Sequence, residues 1–594
     1  MKLFLIDDFC RIDGETGDFL EKEYAGDFTK YTEEIPLFSA RNQVVSFQLA
    51  VVTENAETLD DFTLDFAPLC KDGTQITPDY DVFIEWYHRV ENQLMPDMLV
   101  PFGKTDLSFR IPLDKRYHET QKAGTLWFDL FIPKTVDPGR YRGQISGTAN
   151  RVPFSFEVNL KVYRSEVPDE SLIVADLNNY ADSISPSYPH LANNPDRYKD
   201  GSYLEVEREF YKISREHRCL FQNLNYLHSG APVENFAPEL EGKGKKIRVK
   251  SWDAFDEHFG PYLDGTAFKD SKRGPLPIEF MFTPFNLGWP AAYENWGKKG
   301  FKTEYRRILW EYMKHFEEKG WTKTIHEIMF NHKKEYRFFP STQDEIWYEH
   351  DEEIVDYMYD VMKDTVEHSE AKFVFRADSS NHYGNHFRNK YIDIFGMWVS
   401  SMTMLSWYPE SVIEMKNRSN ILWIYGWYGE GMTIDLPLNA FLTHPMICFM
   451  TGATGFCSFW NAVGWGDDYL KTPFVNAGQS FFYPGMEFGA GHLLPSLRIK
   501  VLRNQMQLAD LMMKTDGLDV ETTIPVRRDM EELVNQAFGY SSNKDWWGEK
   551  PSFADTTSPR YWDFSNEIPR KSHYEGRSPK IIGDLRKSVL KRLG

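Results

Sequence analysis

Cysteine is scarce in this chain, with five among 594 residues, at positions 10, 70, 219, 448 and 457. The number is odd and no pair has CxxC spacing, which argues against a disulfide framework or a cysteine-based zinc site. Positive charge is in deficit: 68 Lys and Arg stand against 88 Asp and Glu, a formal net charge of −20. Nucleic acid is therefore not an expected partner, because phosphate binding relies on a basic footprint. The local run Lys243, Lys245, Lys246, Arg248 and Lys250 reads as a solvated loop, with a clamp for an anionic glycan as the sharper alternative. No apolar stretch approaches the roughly 20 residues that span a bilayer, so no membrane partner is expected. At the start, MKLFLIDDFCRIDG has its apolar run broken by Asp7 and Asp8, unlike a signal peptide. The expectation is a cytoplasmic protein, or an exported one whose signal has been removed.

Several catalytic signatures are missing as well. There is no HExxH or His-rich metal spacing, and GAGHLLPS lacks the GxGxxG and Walker patterns, so neither metal nor cofactor is expected. GFCSF lacks the closing Gly of a nucleophile elbow and puts Ser458 in mid-strand, which disfavours a serine hydrolase.

What the chain has in excess is rings: aromatics make up 15% of residues within a hydrophobic total of 41%. Any one ring is better read as core packing, yet a surplus suits a protein that stacks aromatic faces on sugars. Up to about Arg164 the pattern is β, in VVSFQLAVV, TLWFDLFIP, GRYRGQISG and PFSFEVNLKVYR, punctuated by Gly, Pro, Asn and Asp, as in a β-sandwich. SEVPDES reads as a linker. Eight apolar strands then alternate with helical periodicity: LIVADLNNY, LFQNLNYLH, IEFMFTPF, HEIMFNH, FVFRADS, DIFGMWVSS, ILWIYGWYG and GFCSFWN. Between them Tyr305, Ile308, Leu309, Tyr312, Met313 and Phe316 share one helical face.

The fold class expected is α/β. A (β/α)8 TIM barrel over 171–515 follows a β-sandwich over 1–165 and precedes an irregular, mostly helical extension over 516–594. A doubly wound open sheet is the alternative.

Barrels of this kind place catalytic groups at the C-terminal ends of their strands. Read in order, those ends carry Asn178 and Asn179; Tyr226 and His228; Thr283 and Phe285; Asn331, His332 and Glu335; Arg376 and Asp378; Trp398; Tyr425, Trp427 and Glu430; Trp460 and Asn461. Amides and carboxylates that bond hydroxyls, beside indole and phenol faces, make a sugar-binding vocabulary.

GRYRGQISG, the barrel after it, GFCSFWN, and FYPG followed by LPSLRIKVLRNQMQLADLM resemble the glycoside hydrolase family 123 group and its uncharacterised relatives. The similarity of organisation covers about residues 1 to 515. Its narrow signal is YPG, then Pro495, Ser496, Arg498, Leu502 and Arg503, with departures at Lys500, Asn504 and Gln505. The resemblance implies a retaining hydrolase of N-acetyl-β-galactosaminides acting by substrate assistance, with an adjacent Asp and Glu at the end of barrel strand four. Here those positions are matched by Asn331 and His332, so the dyad is absent. An Asn cannot stabilise a developing cation as a carboxylate does, and an unperturbed His is mostly neutral near pH 7.

Three readings of the site follow. A glycosidase with relocated acids would draw on Glu430, Glu335 and Asp378 as catalytic residues with His332 and Asn331, and on Tyr226, His228, Arg376, Trp398, Tyr425, Trp427, Trp460 and Asn461 for substrate. A polysaccharide lyase would use Asn331 or Arg376 to offset a uronate carboxylate, and His332, His228 or Tyr226 to move protons. A carbohydrate-binding relative would cleave nothing. Glycoside hydrolysis is the favoured reading, with a carbohydrate as partner and a homo-oligomer left open.

Overall fold

The computed structural model describes the chain apart from residues 25, 55–56, 77–78, 182, 226–232, 234, 293–294, 296, 330–348, 367, 380–395, 402–415, 417–420, 426–432, 458–461, 466–467, 473–479, 518 and 539–575.

Eleven strands precede the barrel. A five-stranded antiparallel sheet combines β1 (Lys2–Asp7), β3 (Gln43–Val52), β7 (Asp79–Val90), β8 (Gln93–Pro101) and β9 (Ala123–Ile132) in the order β1-β3-β9-β7-β8. A second sheet runs β2-β11-β10-β5-β6, from β2 (Glu34–Arg41), β5 (Leu69–Lys71), β6 (Thr74–Ile76), β10 (Gly139–Ala149) and β11 (Val152–Glu166), with β4 (Phe62–Phe66) beside β10. Period-two alternation gives each sheet one apolar face. Leu5, Val45, Phe47 and Leu49 of the first meet Ile35, Leu37, Ile145, Phe156 and Val158 of the second in one core, which makes the expected sandwich.

All eight strands expected of the barrel are present: β12 (Val174–Tyr180), β13 (Cys219–Leu224), β16 (Phe280–Phe282), β17 (Ile325–Ile328), β18 (Lys372–Ser379), β19 (Met397–Ser401), β20 (Ile421–Tyr425) and β21 (Gly455–Phe456). The small hairpin β14 (Glu239–Glu241) and β15 (Arg248–Ser251) lies outside this sheet and holds part of the basic run. The barrel order is β13-β12-β21-β20-β19-β18-β17-β16 with every pairing parallel. At the two ends of that order, Asn225 just after β13 donates from Nδ2 to the Phe282 carbonyl of β16 at 2.8 Å, so an amide side chain crosses the seam where the sheet closes.

Helices α1 (Ser202–Glu216), α2 (Asp253–Leu263), α3 (Lys299–Lys319), α4 (Glu349–Val366) and α5 (Thr443–Thr451) cover the strands. The face expected of α3, from Tyr305 to Phe316, is wholly buried, and such side chains contribute roughly 1.5–3 kcal/mol each. Its end is set by Gly320, at φ +72°, where a side chain would be strained.

One helix ties sandwich to barrel. Beyond the hairpin β22 (Phe482–Pro484) and β23 (Leu493–Pro495), α6 (Leu497–Met513) starts at Ser496, whose hydroxyl accepts from the Ile499 N–H at 3.2 Å. Arg498 donates to Asp97 of β8 at 2.8 Å, and Asp97 also takes the Tyr483 hydroxyl at 2.6 Å. Lys500 and Arg503 both reach Asp129 of β9, each at 2.6 Å. Asn504 bonds Asp8 at 2.7 Å, and Gln507 pairs with both backbone groups of Val44. From the opposite side, Asp510 accepts the Leu172 N–H at 2.8 Å and holds Arg218 at 2.6 Å, where the barrel begins. The motif residues Ser496, Arg498 and Arg503 are thus a structural staple. Two of the departures, Lys500 and Asn504, have partners of their own within it.

After α6 come α7 (Val520–Phe538) and the C-terminal helix α8 (Ile581–Leu593). Arg586 of α8 grips Asp8 at 2.9 and 3.0 Å. Among the described residues, no helix is long and apolar enough to cross a membrane.

Candidate active site inside the barrel

A charged side chain on a barrel strand that points inward has little to meet except the side chains of other strands. Asp176 of β12, Gln222 of β13, Glu327 of β17, Arg376 and Asp378 of β18, and Cys457 just after β21 form one connected group. Gln222 Nε2 donates to Asp176 Oδ1 at 3.1 Å and to Glu327 Oε1 at 3.2 Å. Arg376 donates to Glu327 at 2.8 Å, to Asp378 at 2.8 and 3.3 Å, and to the Cys457 sulfur at 3.5 Å. Its guanidinium lies 5.1 Å from the Phe282 ring centroid and 5.9 Å from that of Trp423. Residues of seven strands therefore converge, as they can only in the barrel interior.

Among the described residues, Arg376 is the only cation in this group, and it faces three carboxyls. Burial pushes the Asp176 carboxyl well above the usual carboxylate range and the nearby Glu327 adds to this, with Arg376 opposing only in part. Burial also raises Glu327, against the pull of Arg376. For Arg376, burial works against its charge, but Asp378 and Glu327 outweigh it and hold the guanidinium protonated. Burial keeps the Cys457 thiol protonated. The interior thus favours the protonated form of Asp176 beside a charged Arg376.

Several buried polar atoms in this region have no hydrogen-bond partner among the described residues: Asp176 Oδ2, Gln222 Oε1, and both Oδ1 and Nδ2 of Asn178. Asn178 shares the inward face with Asp176, two residues earlier. Buried polar atoms left unpaired cost about 1–3 kcal/mol each, so atoms of this kind are ordinarily met by water or another polar group.

No protein-family model matches the chain, and no curated protein does. Among solved structures, a family 123 glycoside hydrolase from Clostridium perfringens, described in a study of glycolipid glycan hydrolysis, matches with a TM-score of 0.64 over 99% of both chains at 12% identity. This chain has the fold of that hydrolase. The resemblance read from the YPG segment and α6 is thereby matched by the path of the whole backbone. A β-glucuronidase 2 mutant from Bacteroides uniformis matches over 75% of this chain and 46% of its own, at 8% identity and a TM-score of 0.30. A β-glucuronidase from Parabacteroides merdae matches over 80% of this chain and 50% of its own, at 11% identity and a TM-score of 0.26.

Of the residues expected at the site, Arg376 and Asp378 meet in the interior. Tyr425 is buried and lies two residues beyond Trp423, on the same inward face of β20. Trp398 is placed differently. On β19 it registers with Ala377, the residue between Arg376 and Asp378, so alternation turns the indole to the helix-covered side, where it is fully buried. A ring packed there is a core residue and is not available to stack on a sugar. Asn179 likewise faces outward: Nδ2 donates to Asn223 at 3.1 Å, and Asn223 bonds Glu207 of α1 at 2.5 Å, with His258 of α2 on the same carboxylate at 2.6 Å. Tyr226, His228, Asn331, His332, Glu335, Trp427, Glu430, Trp460 and Asn461 lie outside the described residues.

Asp176, Gln222, Glu327 and Cys457 were not singled out in the sequence. A signal was present, since Asp176 in LIVADLNNY and Glu327 in HEIMF are the single acids of strands that are mostly apolar. Acids so placed need partners across the barrel.

Proposed function

We propose that the protein is a glycoside hydrolase acting on oligosaccharides or polysaccharide fragments, with catalysis in the barrel spanning 171–515. The observation that carries this reading is the interior group: carboxyls from three strands around Arg376, with Asp176 pushed towards its protonated form by burial, beside amide and carboxyl atoms that are unpaired among the described residues. A polyhydroxylated ring supplies both donors and acceptors to such atoms. Hydrolysis of a glycosidic bond commonly uses one protonated and one ionised carboxyl, and differences in burial and neighbouring charge are what push two such carboxyls apart.

In this reading the reacting acids come from Asp378, at the end of β18, with Glu335 and Glu430 from the neighbouring loops. His332 and Asn331 serve at the strand-four position. Tyr226, His228, Tyr425, Trp427, Trp460 and Asn461 contact substrate. Arg376 is a positioning residue that orients Asp378 and Glu327. Its commitment to two carboxylates weighs against elimination from a uronate, which requires a cation for the substrate's own carboxylate.

The test is product analysis by mass spectrometry after incubation with neutral, amino-sugar and uronate oligosaccharides in oxygen-18 water. Label at a new reducing end, above a no-enzyme control, is the expected result. An unsaturated uronate product without label would replace hydrolysis by elimination, and no cleavage across the library would leave a binding protein.

A further inference from the structure

A cavity of about 270 Å³ opens between the sandwich and the barrel at the N-terminal end of β13, beside α6. Lys272 and Glu216 stand at its exposed rim, while His217, Lys500 and Arg503 are buried in its wall.

In a chain with a net charge of −20, this region is short of negative charge. Three carboxylates here each serve two cations. Asp129 holds Lys500 and Arg503, both at 2.6 Å. Asp81 holds Lys104 at 3.0 Å and Lys272 at 3.5 Å. Glu279, behind the wall, holds Arg215 at 2.7 Å and Arg273 at 3.6 Å. Burial pushes Lys500 down to about 8, with Asp129 opposing and Arg503 adding to the shift. Glu216, the remaining acid at the rim, is raised by desolvation, which favours its neutral form.

The wall also has hydrogen-bonding capacity to spare. His217 is 5% exposed, and its Nδ1 lies 2.7 Å from the Ile213 carbonyl, which puts the ring proton on Nδ1. Nε2, in the cavity wall, has no partner among the described residues. Lys500 carries three donors and makes one hydrogen bond among the described residues, to Asp129.

We propose that this cavity is a binding site for a small oxyanion, a phosphate or a carboxylate, seated between Lys500, Lys272 and His217. The anion would supply the charge that the doubly used carboxylates leave wanting, and because burial, Lys500 and Arg503 hold His217 neutral, its Nε2 would accept the hydroxyl of a monohydrogen oxyanion. The site is separate from the barrel interior and does not depend on the hydrolase reading.

Isothermal titration calorimetry of the full chain at constant ionic strength in chloride, with inorganic phosphate and with malonate as probes, tests it. One saturable site is expected for at least one probe, and the tighter of the two names the source. His217→Phe should weaken binding at least ten-fold and the rim change Lys272→Ser at least three-fold. Lys272 is exposed, so its variant is informative even if His217→Phe fails to fold. No saturable heat with either probe, or an affinity unchanged in Lys272→Ser, would overturn the proposal.

Discussion

Replacing Arg376 by Met removes the guanidinium that Glu327 and Asp378 share and leaves both carboxyls in the barrel interior without a counter-charge. Breaking a buried pair by removing one partner costs about 3–5 kcal/mol. Linkage gives the same scale. A carboxyl whose unfolded value is about 4.3, forced to stay protonated when folded, loses about 5 kcal/mol of stability at pH 8 and about 1 kcal/mol at pH 5. The sign follows from proton counts: the folded variant holds a proton that the unfolded chain has released, so its stability falls as pH rises. Urea unfolding followed by tryptophan fluorescence suits the measurement, because Trp423 lies beneath Arg376. At pH 8 Arg376→Met should unfold at clearly lower urea than the wild type, and at pH 5 most of that gap should close. Adding Glu327→Gln, which removes one of the stranded acids, should restore at least about 1 kcal/mol at pH 8. A deficit of equal size at both pH values would refute the electrostatic reasoning and assign the loss to packing over Phe282 and Trp423.

Asp176→Asn should be tolerated within about 1 kcal/mol, since Oδ1 can still accept from Gln222. Because the folded Asp176 is raised far above its unfolded value, its contribution is intact below the unfolded value and is lost as pH rises towards the folded one. Melting curves of Asp176→Asn should therefore decline less between pH 4 and 8 than those of the wild type. Trp398→Leu should lower stability by roughly 2–4 kcal/mol through the cavity it leaves and leave oligosaccharide affinity in calorimetry unchanged; a ten-fold loss of affinity would return the indole to the binding surface. Glu430→Gln should reduce turnover at least 100-fold with little change in ligand affinity, and an unchanged kcat would remove Glu430 from the chemistry.

The barrel was legible because parallel strands covered on both faces are apolar throughout, and the eight runs from LIVADLNNY to GFCSFWN stand out against helices such as α3 with its row from Tyr305 to Phe316. The sandwich was legible from alternation in stretches such as TLWFDLFIP. Facing was not. Trp398 and Asp378 both sit near strand ends, and only the register of β18 with β19 shows that one points outward and the other inward. Proximity was not legible either. Asp176 and Glu327 lie 151 positions apart in sequence, yet both accept from Gln222. In each strand, the single acid looked like an interruption, because its partner is supplied by closure of the barrel and not by its neighbours in the chain.

The staple helix α6 has a consequence for how the chain can be divided. Arg498, Lys500 and Arg503 find their carboxylates on the sandwich at Asp97 and Asp129, whereas Asp510 of the same helix finds its arginine on the barrel at Arg218. A fragment cut at the 165–171 segment would present three cations on the barrel side with no acids to meet them, and two bare acids on the other. The two bodies are therefore not interchangeable modules. Swapping the sandwich for that of a relative, or expressing the barrel alone, requires rewriting α6 along with it, so the helix sets the smallest unit that can be exchanged or inherited intact.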